Sequence, residues 1–322
     1  MDAFTSIVAK PKTRLTVYSF VWAYEGNCPL IFATMSKLLS FLFILLVLVL
    51  PSCKDEGAAT PPEETFQTTQ LNESYGSDER QRFDIYLPAN ANVQSTPVLF
   101  LIHGGGWSSG SKNYFDGAIA GLRSAFPDYA FVTVGYRLCV NGTNQFPAQE
   151  MDVKNCIEYV LNHREEYRIS EKFALWGLSA GAHLSLLYAY KYGTTSFNPR
   201  AVEEYAGPTD LIRAYDETPN DLIKLLLIGV AGFRDTADSL QYISSSPINF
   251  ITEFSPPTLI MHGDADEVVP FSQAGYLRDK LAEEGVAHQY VVYTGEGHNM
   301  SSIAAADAGL QVYAFLTEHM AD

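Results

Sequence analysis

Positive charge is scarce in this chain. Its 322 residues carry 21 Lys and Arg against 37 Asp and Glu, a formal net charge of −16. Nucleic acid is therefore excluded as an expected partner, because a polyanion needs a basic face to bind. Cysteine is scarcer still. Cys28, Cys53, Cys139 and Cys156 show no metal-ligand spacing, so no metal centre is expected, and no motif calls for a cofactor. Internal repeats are lacking. The apolar run Leu38–Leu50 falls short of the roughly 20 residues that span a bilayer. What is plentiful is ordinary globular sequence. Hydrophobic residues make up 47% and charged residues 18%, enough for one large α/β domain with a buried core.

The first eighty residues read as an address. Met35-Ser36-Lys37, the run Leu38–Leu50 and then Pro51-Ser52-Cys53 supply the basic start, apolar middle and small-residue end of a secretory signal over 35–52. The ending Leu50-Pro51-Ser52-Cys53 resembles a bacterial lipobox. That resemblance implies cleavage before Cys53, lipidation at Cys53, and a membrane-anchored lipoprotein on the periplasmic or surface face of the cell envelope. Residues 1–34 sit awkwardly ahead of the signal and read as an extension upstream of a true start at Met35. Residues 53–80 are polar, rich in Thr, Glu, Pro and Ser, and predict a flexible tether. One folded domain is expected over 81–322.

Within that domain Arg82–Pro88 alternates polar and apolar residues, as a half-buried strand does. Pro97–Ile102, Tyr129–Tyr136, Phe173–Trp176, Pro257–His262 and Gln289–Tyr293 read as further strands, mostly continuous apolar runs. Arg200–Gly207 holds another candidate. Helical patterns lie between them: one opened by Pro147, with Val153, Ile157, Val160 and Leu161 on one face, one over Phe271–Glu284, and one over Ile303–His319. The alternation predicts an α/β fold, with a mostly parallel central sheet and helices on both faces.

Gly177-Leu178-Ser179-Ala180-Gly181 leaves the strand Phe173–Trp176 and enters a helical pattern. In that context Gly-x-Ser-x-Gly is a nucleophile elbow, a turn so tight that the serine is strained and its neighbours must be small. Gly106–Gly110 matches the pattern around Ser108, but no strand directly precedes it and no helix directly follows, so Ser108 is discounted. A serine hydroxyl needs a base to take its proton. His298 follows the last strand, and Asp264 and Asp266 both follow the strand ending at His262. Two residues apart, these acids would point the same way in an extended chain, so alternation does not choose between them. His103-Gly104-Gly105-Gly106-Trp107 closes the strand Pro97–Ile102. The backbone N–H groups of Gly105, Gly106 and Ala180 are candidates to hold an oxyanion. His103 reads as a brace for this loop, and His183 and His262 as packing or supporting residues. Trp107 reads either as a wall of the acyl pocket or as packing. Residues 208–256 break the strand–helix rhythm. Only Asp221–Ile228 reads as a short helix there, and the stretch is expected to form a small insert near the active site.

These pieces together resemble the esterase/lipase (carboxylesterase) branch of the α/β-hydrolase superfamily, the branch with a His-Gly-Gly-Gly-Trp oxyanion loop. The chain is similar to hormone-sensitive-lipase-like and bacterial feruloyl- and acetyl-esterase-like proteins. The resemblance runs from Arg82 onward. It is carried by His103–Trp107, Tyr136-Arg137-Leu138 with Phe146-Pro147-Ala148-Gln149, Gly177–Gly181, His262-Gly263-x-x-Asp266-x-x-Val269-Pro270 and Gly297-His298. It implies a Ser179–Asp266–His298 triad, with Trp107 a candidate for contact with substrate. The activity implied is a serine carboxylic-ester hydrolase acting on a small-molecule or glycan ester, acetylated or feruloylated glycans among them. Two alternatives stand beside it: an amide hydrolase of arylformamidase or small-peptidase type, and a catalytically inactive hydrolase fold serving as a binding module. The small insert and Trp107 predict a restricted acyl pocket. Cys139 and Cys156 could pair in an oxidising compartment, but their places, just after a strand and inside a helix, favour two reduced thiols.

Overall fold

The structure is a computed structural model that describes residues 69–193, 197–232 and 239–321. The signal, Cys53 and most of the tether lie outside the described residues. Eight strands form one sheet: β1 (Thr69–Ser74), β2 (Arg82–Tyr86), β3 (Val98–Ile102), β4 (Ala130–Val134), β5 (Phe173–Leu178), β6 (Ala201–Tyr205), β7 (Thr258–Gly263) and β8 (His288–Tyr293). Their order is β1-β2-β4-β3-β5-β6-β7-β8. The pairs β1/β2 and β2/β4 are antiparallel and every other pair is parallel. The helices are α1 (Asp116–Ala125), α2 (Ala148–Asn162), α3 (Arg164–Tyr167), α4 (Ala180–Leu187), α5 (Leu211–Glu217), α6 (Asp221–Ala231), α7 (Ser239–Ser244), α8 (Ser272–Glu283) and α9 (Ser302–His319).

β3, β4, β6 and β7 are buried at every residue, because both faces of the sheet are covered. Alternate residues feed opposite cores. Phe100, Val132, Leu175 and Ile260 pack with Val153 and Ile157 of α2 and Leu184 of α4. Leu99, Leu101, Phe131 and Leu259 pack with Ile119 of α1 and with Val312 and Phe315 of α9. The predicted fold class is the one observed.

Two expectations need correction. Thr69–Ser74, inside the stretch predicted as tether over 53–80, forms β1, so folded structure is already present ahead of residue 81. β1 is a largely exposed edge strand that pairs with β2, and a polar composition suits that position. The insert read as mainly loop is mainly helix. Asp210 accepts the N–H groups of Ile212 and Arg213 and caps α5, and Asn220 accepts the Leu222 N–H and caps α6. Cys139 and Cys156 are both free and buried, as their places in the chain favoured.

Candidate active site

The site stands at the C-terminal ends of β3, β5, β7 and β8. Ser179 leaves β5 at φ 53°, ψ −120°, a strained backbone for a residue with a side chain. A Cβ on Gly177 would lie 2.3 Å from the Gly181 carbonyl oxygen, and one on Gly181 would lie 2.1 Å from that of Ile102. Neither position has room for any side chain, so the elbow presses directly against the end of β3.

His298 Nε2 lies 3.0 Å from Ser179 Oγ, and His298 Nδ1 lies 2.8 Å from Asp266 Oδ2. An ionised carboxylate only accepts, so Nδ1 carries the proton and the bare Nε2 faces the serine hydroxyl. Asp266 Oδ1 accepts the N–H groups of Val268 (2.7 Å) and Val269 (2.9 Å), and Oδ2 also faces His262 Nε2 at 3.2 Å. Burial alone would raise the Asp266 pKa. Hydrogen bonds from His262 and His298 and from the Val268 N–H more than reverse that, and hold the carboxyl well below its usual range. Asp264 instead accepts the Gly295 N–H at 2.6 Å in an exposed turn. The structure thus brings together Ser179, Asp266 and His298 and leaves Asp264 apart. His262, read from the sequence as a packing or supporting residue, faces the acid from four residues away across the turn.

Gly105, Gly106, Ser179, Ala180 and His298 all line one cavity of about 840 Å³. Tyr114, Phe115 and Trp176 wall one side, and Ile223, Leu226 and Leu227 wall another. This lies in the upper part of the ordinary small-molecule range of about 300–1,000 Å³, so volume does not impose the expected restriction on the acyl group. Trp107 borders the cavity but is only 3% exposed. Its indole N–H donates to His183 Nδ1 at 3.2 Å, and its ring packs edge-on against Phe146. The indole N–H is thus engaged within the protein, and Trp107 both borders the cavity and anchors the loop. Ser108 also lines the cavity, away from His298's hydrogen bonds. His103 stacks on Tyr136 with ring centroids 4.2 Å apart and donates Nδ1–H to the Gly104 carbonyl at 2.7 Å. Burial lowers its pKa to about 4, so it stays neutral and braces the loop.

The sheet, the elbow after β5 and the serine–histidine–aspartate line define an α/β-hydrolase. More narrowly, the chain belongs to the BD-FAE family, which matches residues 83–281. It is 31% identical over 263 residues to the probable carboxylic ester hydrolase LipM of Mycobacterium tuberculosis, covering 76% of this chain and 60% of that protein. It is 26% identical to the esterase LipC of the same organism, covering 74% of this chain and 62% of that protein. The chain thus spans about three fifths of the length of these curated relatives. A solved structure described as a truncated form of a carbohydrate esterase from gut microbiota superposes with a TM-score of 0.67 at 26% identity, covering 81% of this chain and 99% of that one.

Proposed function

We propose that this protein is a serine carboxylic-ester hydrolase that works through an acyl-enzyme. The observation that carries the reading is the unbroken hydrogen-bonded line from Ser179 Oγ through His298 to Asp266. Ser179 Oγ attacks the ester carbonyl carbon as His298 Nε2 takes its proton. Asp266 keeps the imidazole in the right tautomer and stabilises its charged form. The carbonyl oxygen becomes an oxyanion and is received by the N–H groups of Gly105, Gly106 and Ala180, each such donor being worth about 2.7–4 kcal/mol. The C–O bond to the alcohol breaks, and His298 returns the proton to the departing oxygen. Water then attacks the acyl group by the same route, releasing the acid and restoring Ser179.

The substrate class we propose is an acylated glycan, bearing acetyl or feruloyl groups. The likeness to a carbohydrate esterase and a cavity with room for an aryl acyl group support it. The sequence at Cys53 supports a lipid-anchored protein of the cell envelope, outside the cytoplasm. A fluorophosphonate probe should label the protein at Ser179 and spare Ser179→Ala, which an inactive binding module would not do. Acetylated and feruloylated glycans should be cleaved faster than matched anilides. A preference for the anilides would overturn the ester reading in favour of an amidase. Intact mass should show a mature chain beginning at an acylated Cys53. A Cys53→Ala protein that remains equally membrane-bound would overturn the lipoprotein reading.

A further inference from the structure

The oxyanion loop is held in shape from outside itself. Gly105, Gly106 and Trp107 stand consecutively at φ +110°, +57° and +57°. Glycine takes such angles freely. A tryptophan there is strained and persists only where its surroundings enforce it. Two bonds do so. The Trp107 carbonyl accepts the Cys139 N–H at 2.8 Å, and the indole N–H donates to His183 Nδ1 at 3.2 Å. An indole nitrogen can only donate, so His183 Nδ1 is bare and Nε2 carries the ring's proton. That proton goes to the Ser245 carbonyl at 2.7 Å, just past α7 in the insert. His183 is fully buried. Burial lowers its pKa to about 3, with Lys191 adding to the effect and the Ser245 bond opposing it, so the neutral tautomer persists at working pH.

The same residue stands four positions after Ser179 on α4, where its backbone N–H bonds to the Ser179 carbonyl at 3.1 Å. One histidine thus touches the nucleophile's helix, the oxyanion loop and the insert. The insert meets the loop a second time, because a Cβ on Gly106 would lie 2.7 Å from Leu226 Cδ2 of α6. Phe146 packs on both rings, 5.4 Å from Trp107 and 5.5 Å from His183, centroid to centroid.

We propose that the insert and the oxyanion loop form one mechanical unit, and that His183 is the positioning residue that couples them through Trp107 and Ser245. The proposal rests on the esterase reading of Ser179. His183 touches no substrate and takes no proton in the reaction. It fixes where the Gly105 and Gly106 N–H groups point when the tetrahedral intermediate forms. Its loss is therefore paid in transition-state stabilisation and not in substrate binding.

The test compares His183→Phe, which keeps an aromatic ring and removes both bonds, with His183→Gln, which keeps one acceptor and one donor, and with Trp107→Phe, which removes the indole donor and keeps a smaller aromatic ring. Rates are expressed per active site titrated with a fluorophosphonate, on a short activated ester that the wild type hydrolyses. His183→Phe should lower kcat by on the order of 10- to 100-fold, less than deleting an oxyanion donor outright, with KM nearly unchanged. Affinity for a trifluoromethyl ketone, which adds Ser179 as a tetrahedral adduct, should fall by the same factor as kcat/KM. His183→Gln should recover much of the loss, and the Trp107→Phe and His183→Phe losses should not multiply in the double variant. Trp107→Phe touches only the loop, yet should raise amide hydrogen exchange in residues 243–247 as well as 104–109. Wild-type kcat per site in His183→Phe, multiplying losses, or exchange confined to the loop would each overturn the proposal. Should His183→Phe fail to fold, the Gln and Trp107 variants still decide it. A wild type that cleaves no ester would overturn the esterase reading instead, before any variant is compared.

Discussion

Asp264 and Asp266 share a strand end and differ in what they accept. Val268 and Val269 turn back over Asp266 Oδ1, which leaves Oδ2 for His298 and His262. Asp264 faces outward to Gly295. Asp266→Asn should lower kcat by about 10⁴, because an amide no longer fixes the imidazole tautomer. Asp264→Asn still accepts the Gly295 N–H through its side-chain oxygen, so kcat should stay within a few-fold and the Tm should barely move. Stopped assays of both variants on one activated ester check the assignment, and a crippled Asp264→Asn would reverse it. Alternation in the sequence gave no choice between these acids, because the deciding feature is the turn after β7. The family motif carried the information that strand periodicity lacked. Ser179 and His298 were legible for a different reason: each follows a recognisable strand.

Among the elements, those whose constraints are local were the readable ones. The elbow needs small residues at 177 and 181 whatever the rest of the chain does. Gly181→Ala should therefore drive the elbow off β3, since its Cβ would lie 2.1 Å from a backbone oxygen. The expected outcome is protein that is largely insoluble or, if soluble, unlabelled by fluorophosphonate. Wild-type labelling would show that the elbow can relax. β1 was missed because its stability comes from a partner, not from its own pattern: Thr69 pairs with Tyr86, across a turn and a second strand. A chain begun at Asp78 would lose that strand, along with the Asn72 N–H bond to buried Asp84 at 2.6 Å, and would leave β2 as a bare edge. Its Tm should fall and its tendency to associate should rise, measured by thermal melting and light scattering. The insert was misread because α5 and α7 are too short for an apolar period to show. The capping residues Asp210 and Asn220 were the available signal. Its bond to His183 is a backbone carbonyl, at Ser245, which no side-chain pattern announces.

In the molecule as a whole, buried titratable groups outside the triad set how stability runs with pH. Glu203 and Glu204 are fully buried on β6. Burial raises both, Glu203 well above its usual range and Glu204 to about 8 against the opposing Gly207 N–H bond. The folded chain keeps protons that the unfolded chain releases above its ordinary value of 4.5. This contribution is full below that pH and is lost as pH rises through the folded value. His103 and His183 run the opposite way. Burial lowers them to about 4 and about 3, so below 6.5 the unfolded chain takes up protons that the folded chain refuses, and stability falls with pH. Between 4.5 and 6.5 the two pairs offset each other. The Tm should be nearly flat across that window, and should decline toward pH 8 and again below 4.5. Glu204→Gln cannot titrate but still accepts the Gly207 N–H, so it should flatten part of the alkaline decline and leave the acid one intact. An unchanged alkaline slope would remove Glu204 from this account. Melting curves of the wild type and Glu204→Gln measured across the same buffers check both declines.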